Sequence, residues 1–202
     1  DDYVRRECVV ALGKLDLKIV YPDLMSALDD PLPSVRMEAA RSVGEGCPRE
    51  ALRLLLDALY RSTPDVRTEL GDAVRRRFPL DELAPHLVGS ISRGSMEERR
   101  QALSLLRLCL GEGVVRTDAA VRWLAPPLAE AARSGDLDLA RDAIWALARI
   151  DEKRATELAL AAAQDSGVPE GTRTLCLAMI GEIEPAGAID AVLVAVRCGV
   201  PG

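Results

Sequence analysis

One short pattern recurs along the whole sequence. Aligning its copies places one apolar anchor residue in each, at Leu12, Val43, Val74, Leu106, Leu147 and Ile180. The anchors follow one another at spacings of 31, 31, 32, 41 and 33 residues. A period of roughly 20 to 50 residues is typical of repeat proteins, in which each unit buries its apolar side against its neighbours. We therefore predict a single domain over residues 1–202, built from repeats 1–31, 32–62, 63–94, 95–134, 135–167 and 168–202.

Each repeat divides into two halves with helical periodicity. In the second copy, Val35, Ala39 and Val43 recur at the spacing of one helix face. The second half carries a proline, such as Pro22, which we place in the first turn of a helix because that amide needs no partner there. Glycine-rich segments such as residues 44–46 predict turns between the halves. No segment shows sustained alternation of apolar and polar residues, which is the pattern of a strand. We therefore predict an all-α fold of about twelve helices in six antiparallel hairpins, without strands.

The composition excludes several classes of function. Charged residues make up 29% of the chain and hydrophobic residues 49%, which is enough for a globular core. A single histidine rules out a His-rich metal site, and 3% aromatic residues argue against a stacking platform for nucleic acid. A net charge of −6 argues against a general binder of nucleic acid or of anionic membranes. No apolar segment approaches the ~20 residues of a membrane-spanning helix.

The five cysteines include no Cys-x-x-Cys motif, and their number is odd. This pattern predicts reduced thiols and a cytoplasmic location. We expect Cys8, Cys109 and Cys176 to be small core residues because they occupy apolar repeat positions, whereas Cys47 and Cys198 lie nearer to turns.

No catalytic motif stands out. The sequence lacks a glycine-rich phosphate-binding loop, a Gly-x-Ser-x-Gly motif and a His-Glu-x-x-His motif. We expect His86 to be a partly buried structural residue and Trp145 to be a core residue. The sequence therefore predicts no catalytic residue, no metal site and no cofactor.

One arginine recurs in every repeat, at Arg5, Arg36, Arg67, Arg99, Arg141 and Arg173. Acidic residues precede most of these arginines, where they can cap the free amides of a helix start. Because this series follows the repeat itself, we interpret it as structural, with each arginine reaching the neighbouring repeat or its carbonyl oxygens.

The phrase acid-x-Val-Arg followed by Ala-Leu-Gly-x-Leu occurs in residues 2–15, and Pro-x-Leu-Met-x-x-Leu in residues 22–28 precedes the pair Asp29-Asp30. Together these phrases resemble the HEAT-repeat superfamily, in particular the short HEAT-like repeats of phycobilisome bilin lyases. The resemblance implies a right-handed α-solenoid whose second helices line a concave face. Most similar proteins are protein-binding scaffolds, and a minority attach bilins, excise alkylated DNA bases or hydroxylate a lysine derivative. The single histidine contradicts the last activity, which uses paired His-Glu iron ligands.

A basic residue marks the start of four second helices. Lys18, Arg49, Arg122 and Arg154 share one aligned position. A cation at a helix start opposes the helix dipole, so helix preference does not explain the row. This row of basic residues either forms a binding patch for an acidic partner or is solvated surface whose long side chains cover apolar neighbours. With other residues of the same helices it forms the predicted partner-binding surface of Lys18, Arg49, Arg53, Asp57, Arg122, Trp123, Glu130 and Arg154.

The sequence thus predicts a non-catalytic scaffold that binds another protein, or an acidic segment of one, on its concave face. Nucleic acid and membranes are not expected as partners. Two alternatives stay open. The first is a bilin lyase-like or DNA glycosylase-like solenoid enzyme, and the second is a structural module of a larger assembly or multidomain protein.

Overall fold

The structure is a computed structural model that describes residues 1–46, 48–111, 118–183 and 193. Within these residues the secondary structure is entirely helical, which confirms the all-α prediction. The chain groups into two compact units, Asp1–Pro79 and Leu80–Gly202. The right-handed solenoid of six hairpins within one domain stays a prediction.

Among its described residues, the first unit holds five α-helices and a short 3₁₀ turn at Arg49–Ala51. The helices are α1 (Asp2–Leu12), α2 (Leu17–Ala27), α3 (Pro33–Gly46), α4 (Leu52–Arg61) and α5 (Pro64–Arg77). Helix α3 lies between α1 and α5, so the first helices of successive repeats form one layer. The second helices pack on this layer, α2 on α1 and α3, and α4 on α5.

The second unit repeats this arrangement. Its helices are α6 (Leu80–Arg93), α7 (Met96–Cys109), α8 (Asp118–Ala131), α9 (Leu137–Ile150), α10 (Glu152–Gln164) and α11 (Glu170–Ile183). Helix α9 lies between α7 and α11, α6 packs against α8, and α10 packs on α9 and α11. The second half of the last predicted repeat, after Ile183, lies outside the described residues apart from Leu193.

Most of the aligned anchor residues are buried. Five of the six anchors are fully buried, namely Val43, Val74, Leu106, Leu147 and Ile180. The anchor of the first repeat, Leu12, is only half-buried. The anchor position is therefore buried in every repeat except the first, where it lies on α1.

The glycine at position 44 marks a close helix contact. The sequence predicted a turn at residues 44–46, but α3 continues through Gly46, so that prediction is wrong. A Cβ atom at Gly44 would overlap the Cβ of Ala73 on α5. A Cβ at Gly13, one repeat earlier, would lie 2.9 Å from the Cβ of Ser42 on α3. The glycine recurs because neighbouring first helices approach too closely at this level for a larger residue.

The prolines of the second helices lie in helix interiors, which corrects the prediction that they occupy the first turn. Helix α2 begins at Leu17, five residues before Pro22. Pro85 in α6 and Pro126 in α8 are likewise interior. Residues before each proline, such as Val20 in α2, are buried and gain from joining the helix. This burial outweighs the backbone hydrogen bond that an interior proline removes.

Two of the recurrent arginines, Arg36 and Arg67, have the structural role that the sequence predicts. The Arg36 guanidinium donates to the carbonyl oxygens of Asp30 (2.9 Å) and Pro31 (3.1 Å). It also pairs with the Asp65 carboxylate of the next repeat at 3.3 Å. Arg67 donates to the carbonyl oxygen of Ser62 at 3.0 Å. These contacts tie α3 and α5 to the loops that precede them, and Arg36 also ties α3 to α5.

Candidate protein-binding surface

The structure places all eight candidate side chains at the surface. Four belong to the first unit and four to the second, and each group is described by itself.

In the first unit, Lys18 lies at the start of α2 and its backbone amide donates to the Asp16 carboxylate at 3.1 Å. In the second unit, the amide of Arg154 at the start of α10 donates to the Asp151 carboxylate at 3.1 Å. Each basic residue therefore lies beside an aspartate that caps the same helix. The cap supplies a negative charge at the helix start, which offsets the unfavourable interaction of the cation with the dipole.

Arg49 lies in the 3₁₀ turn before α4, while Arg53 and Asp57 lie one turn apart on α4 itself. Both α4 side chains are exposed, because the opposite face of the helix buries Leu55, Leu56 and Leu59. Residues four apart share a helix face, so this surface carries both signs of charge.

Helix α8 displays an aromatic side chain among charges. Arg122, Trp123 and Glu130 are exposed, and the Trp123 residue is 51% exposed. Leu124 and Leu128 occupy the buried side of the same helix. A large exposed aromatic residue on a charged surface is the type of residue that anchors protein partners.

Two exposed apolar residues next to candidates were missed by the sequence reasoning. Ile19 follows Lys18 and is 75% exposed, and Leu54 follows Arg53 and is 55% exposed. In α8 the same order, basic then apolar, occurs at Arg122 and Trp123. The signal was present in the sequence, since Ile19 falls outside the α2 face that Val20, Leu24 and Leu28 bury.

Three other expectations about single residues are wrong. His86 is exposed on α6, because the neighbouring Leu83, Ala84 and Leu87 occupy the buried face. Trp145 is half-buried, with the guanidinium carbons of Arg107 and Arg149 at 5.1 Å and 5.5 Å from its ring centre. The third wrong expectation concerns Cys8, which is exposed.

The predicted core cysteines differ in environment. Cys109 and Cys176 are buried as expected, whereas Cys8 on α1 is exposed. Burial raises the pKa of the Cys176 thiol to about 11, although the charge of Arg133 acts in the opposite direction. Cys176 therefore stays protonated at neutral pH and lacks the thiolate that reactive cysteines need. Cys47 and Cys198 lie outside the described residues.

The described ranges contain no cluster of three or more His, Cys, Asp or Glu side chains suited to a metal ion. Among the same residues, the helices are too short or too polar to cross a membrane.

The family comparison adds an independent observation on the first unit. Residues 1–75 match the family model of HEAT repeats. This match supports the resemblance of these residues to the HEAT-repeat superfamily. HEAT repeats generally mediate protein–protein interactions and are typically non-catalytic. No curated protein matches the chain. The more specific similarity to repeats of bilin lyases stays a prediction.

Proposed function

We propose that this chain is a non-catalytic scaffold that binds a partner protein on the exposed faces of its second helices. The observation that carries the proposal is an exposed basic residue followed by an exposed apolar residue, at Lys18-Ile19, Arg53-Leu54 and Arg122-Trp123. Side chains as large and apolar as these gain from being covered, and the adjacent cations favour an acidic segment.

The arrangement fits a protein partner better than a nucleic acid. Asp57 shares its helix face with Arg53, and Glu130 is exposed on the same helix as Arg122. Carboxylates at these positions repel a phosphate backbone, whereas a polypeptide can place a donor opposite each of them. We expect the partner segment to combine acidic side chains with one or more apolar side chains that contact Trp123.

The partner is first identified by co-purification with the intact chain. It is then produced separately, and its affinity for the chain is measured by titration. We expect Trp123→Ala and Arg122→Glu each to weaken the affinity about tenfold or more, since anchor residues dominate interfaces. The Arg122→Glu variant should also reduce the salt dependence of binding, because a charge contact is lost.

The matched control is Met96→Ala, which removes an exposed apolar side chain from a first helix. It should leave the affinity unchanged. Equal affinity of the wild-type chain and the Trp123→Ala and Arg122→Glu variants would overturn the proposal.

A further inference from the structure

A cleft separates the ends of two second helices in the first unit. Helix α2 packs on α1 and α3, and α4 packs on α5. Among the described residues, α2 and α4 make little contact with each other, whereas the corresponding helices α6 and α8 of the second unit pack together. The space between α2 and α4, called the α2–α4 cleft below, has a volume of about 250 Å³ and is lined by Met25, Ser26, Leu28, Asp29, Ala58, Arg61 and Ser62.

The lining of the cleft combines apolar side chains with two opposite charges. Met25, Leu28 and Ala58 supply its apolar part, and the last two of these are buried. Asp29 follows the end of α2, and Arg61 is the last residue of α4. Both charged residues are exposed. The cleft therefore has a carboxylate on its α2 side and a guanidinium on its α4 side.

These two charges are not neutralised within the fold. Among the described residues, neither the Asp29 carboxylate nor the Arg61 guanidinium has an ion-pair partner. By contrast, Arg36, Arg41 and Arg75 on the first helices of the same unit each pair with a carboxylate. The cleft therefore keeps one charge of each sign available for groups that come from outside.

The hydrogen bonds around the cleft decide which of its side chains can donate. Nε of Arg61 donates to the carbonyl oxygen of Asp57 at 3.2 Å, which leaves the two terminal nitrogen atoms of the guanidinium to donate elsewhere. The hydroxyls of Ser26 and Ser62 each donate to the carbonyl oxygen four residues earlier, at 3.1 Å and 2.6 Å. Because both hydroxyl protons are engaged, Arg61 is the side-chain donor of the cleft and Asp29 is its charged acceptor.

The cleft also continues the second-helix surface described above. Arg53, Asp57 and Arg61 are exposed and follow one another at a spacing of four residues, so they share one face of α4. A partner segment that lies along this face therefore reaches the cleft at the end of the helix.

We propose that the α2–α4 cleft binds a basic side chain and a neighbouring acidic side chain of one partner segment. The basic side chain pairs with Asp29, where the negative end of the α2 dipole adds to the attraction. The acidic side chain accepts hydrogen bonds from Arg61, and the methylene groups of both side chains lie on Met25 and Leu28. This inference rests on the proposed function, because it names a feature of the segment that the second helices bind.

The test follows the methionine methyl groups of the intact chain by NMR after ¹³C labelling. The chain has four methionines, of which Met25 lines the cleft, whereas Met37 lies on α3 and does not. The probe is the blocked dipeptide acetyl-Lys-Glu-amide, and Met25→Leu assigns the signal. We expect the probe to shift the Met25 signal saturably, with a dissociation constant of about 10 mM, because exposed ion pairs each contribute little. The Met37 signal should stay unchanged.

Charge variants test the pairing itself. Asp29→Asn and Arg61→Gln should each weaken binding of the dipeptide about two- to fivefold, because one ion pair is lost. The double variant Asp29→Lys with Arg61→Glu should restore binding, since each charge of the flexible probe again meets an opposite charge. The single variant Asp29→Lys should instead prefer acetyl-Glu-Glu-amide. Asp23→Asn, at an exposed position of α2 outside the cleft, is the matched control and should change nothing.

Two results would refute the inference. The first is a Met25 signal that does not shift saturably with the Lys-Glu probe. The second is an equal response of the wild-type chain to acetyl-Lys-Lys-amide or acetyl-Glu-Glu-amide, because the cleft then does not recognise a pair of opposite charges.

Failure of the cleft is distinguishable from failure of the proposed function. A partner whose affinity falls in Trp123→Ala, together with a silent Met25 signal, rejects the cleft alone. A Met25 signal that responds as expected, together with unchanged partner affinity in Trp123→Ala and Arg122→Glu, rejects the proposed function and retains the cleft as a site for paired charges.

Discussion

Single residues in this fold are constrained by how closely the neighbouring helices approach. Gly44 and Gly89 both lie inside helices, α3 and α6. A Cβ at Gly44 would overlap Ala73, whereas a Cβ at Gly89 would meet nothing within 4 Å. The same substitution should therefore have opposite effects at the two positions.

We expect Gly44→Ala to destabilise the protein by about 1–3 kcal/mol, because the added methyl group overpacks a helix contact. We expect Gly89→Ala to stabilise it by about 0.5–1 kcal/mol, because alanine lowers the backbone entropy lost on folding. Urea denaturation of both variants measures the changes. Stabilisation by Gly44→Ala would contradict the close contact between α3 and α5.

The cysteines give a second prediction at the residue scale. In the native chain at neutral pH, we expect maleimide to label Cys8 at least about a hundredfold faster than Cys109 or Cys176. Cys8 is exposed, whereas the other two are buried and Cys176 has a pKa raised to about 11. Peptide mass spectrometry separates the three rates. Comparable rates for Cys8 and Cys176 would contradict their assigned environments.

At the scale of elements, side-chain caps determine where several helices begin. Helix α7 starts with a reciprocal pair, in which the Glu98 amide donates to the Ser95 hydroxyl at 3.3 Å and the Ser95 amide donates to the Glu98 carboxylate at 2.6 Å. The hydrogen bond from the Ser95 backbone amide, followed by that from the Ser95 hydroxyl, lowers the pKa of the Glu98 carboxyl group. Asp136 caps the start of helix α9, and its carboxylate accepts from the Leu139 amide at 2.9 Å.

Removal of the α7 cap should weaken the folded state measurably. We expect Ser95→Ala to lower the free energy of unfolding by about 1 kcal/mol, because the N3 amide loses its acceptor. Ser104→Ala, an exposed position within the same helix, is the matched control and should change stability little. Thermal and urea denaturation test both variants, and equal losses would argue against a role of the cap.

The contribution of Asp136 to the stability of the fold should depend on pH. The Leu139 amide first, and then the Arg100 side chain, lower the pKa of Asp136 below its usual value. A carboxyl group whose pKa is lower in the folded state stabilises the fold above its unfolded pKa, and this contribution is lost as pH falls through the folded pKa. We therefore expect Asp136→Asn to be less stable than the wild-type chain at neutral pH.

This difference should shrink as the pH falls below about 4, the ordinary range of aspartate. Urea denaturation of both proteins across this range measures it. A gap that is constant from neutral to acidic pH would show that the ionised carboxylate contributes nothing.

At the scale of the whole molecule, the chain consists of two compact units in which each layer is built from successive repeats. In such arrays most stabilising contacts join neighbours in sequence, so a local defect has a local effect. Leu70 is a fully buried residue of α5 in the first unit and is a suitable site for such a defect.

We expect Leu70→Ala to cost about 2–5 kcal/mol in the stability of the first unit, because it leaves a cavity. Amide hydrogen exchange should accelerate in α3 and α5 and change little in α9 and α10. An equal acceleration throughout the described helices would instead indicate that the whole chain unfolds as one cooperative unit.

Much of the fold could be predicted because its information is local. The helical spacing of the apolar anchors lies within one repeat, and it predicted the all-α fold that the described residues show. The alignment also isolates Lys18, Arg49, Arg122 and Arg154, and each of these four residues is exposed. A repeat carries the same local preferences wherever it occurs, since helix periodicity depends on neighbours a few residues away.

The tertiary structure decided what the repeat pattern leaves open. Cys8 and Ala39 occupy the same repeat position, but only Ala39 is covered by a preceding helix. The sequence around Gly44 predicted a turn. The position of Ala73 shows instead that Gly44 lies where two helices approach closely. Burial depends on which surfaces of other elements lie opposite a side chain. Sequence periodicity therefore determined which faces of the helices are apolar, and only packing in three dimensions determined which of those faces are covered.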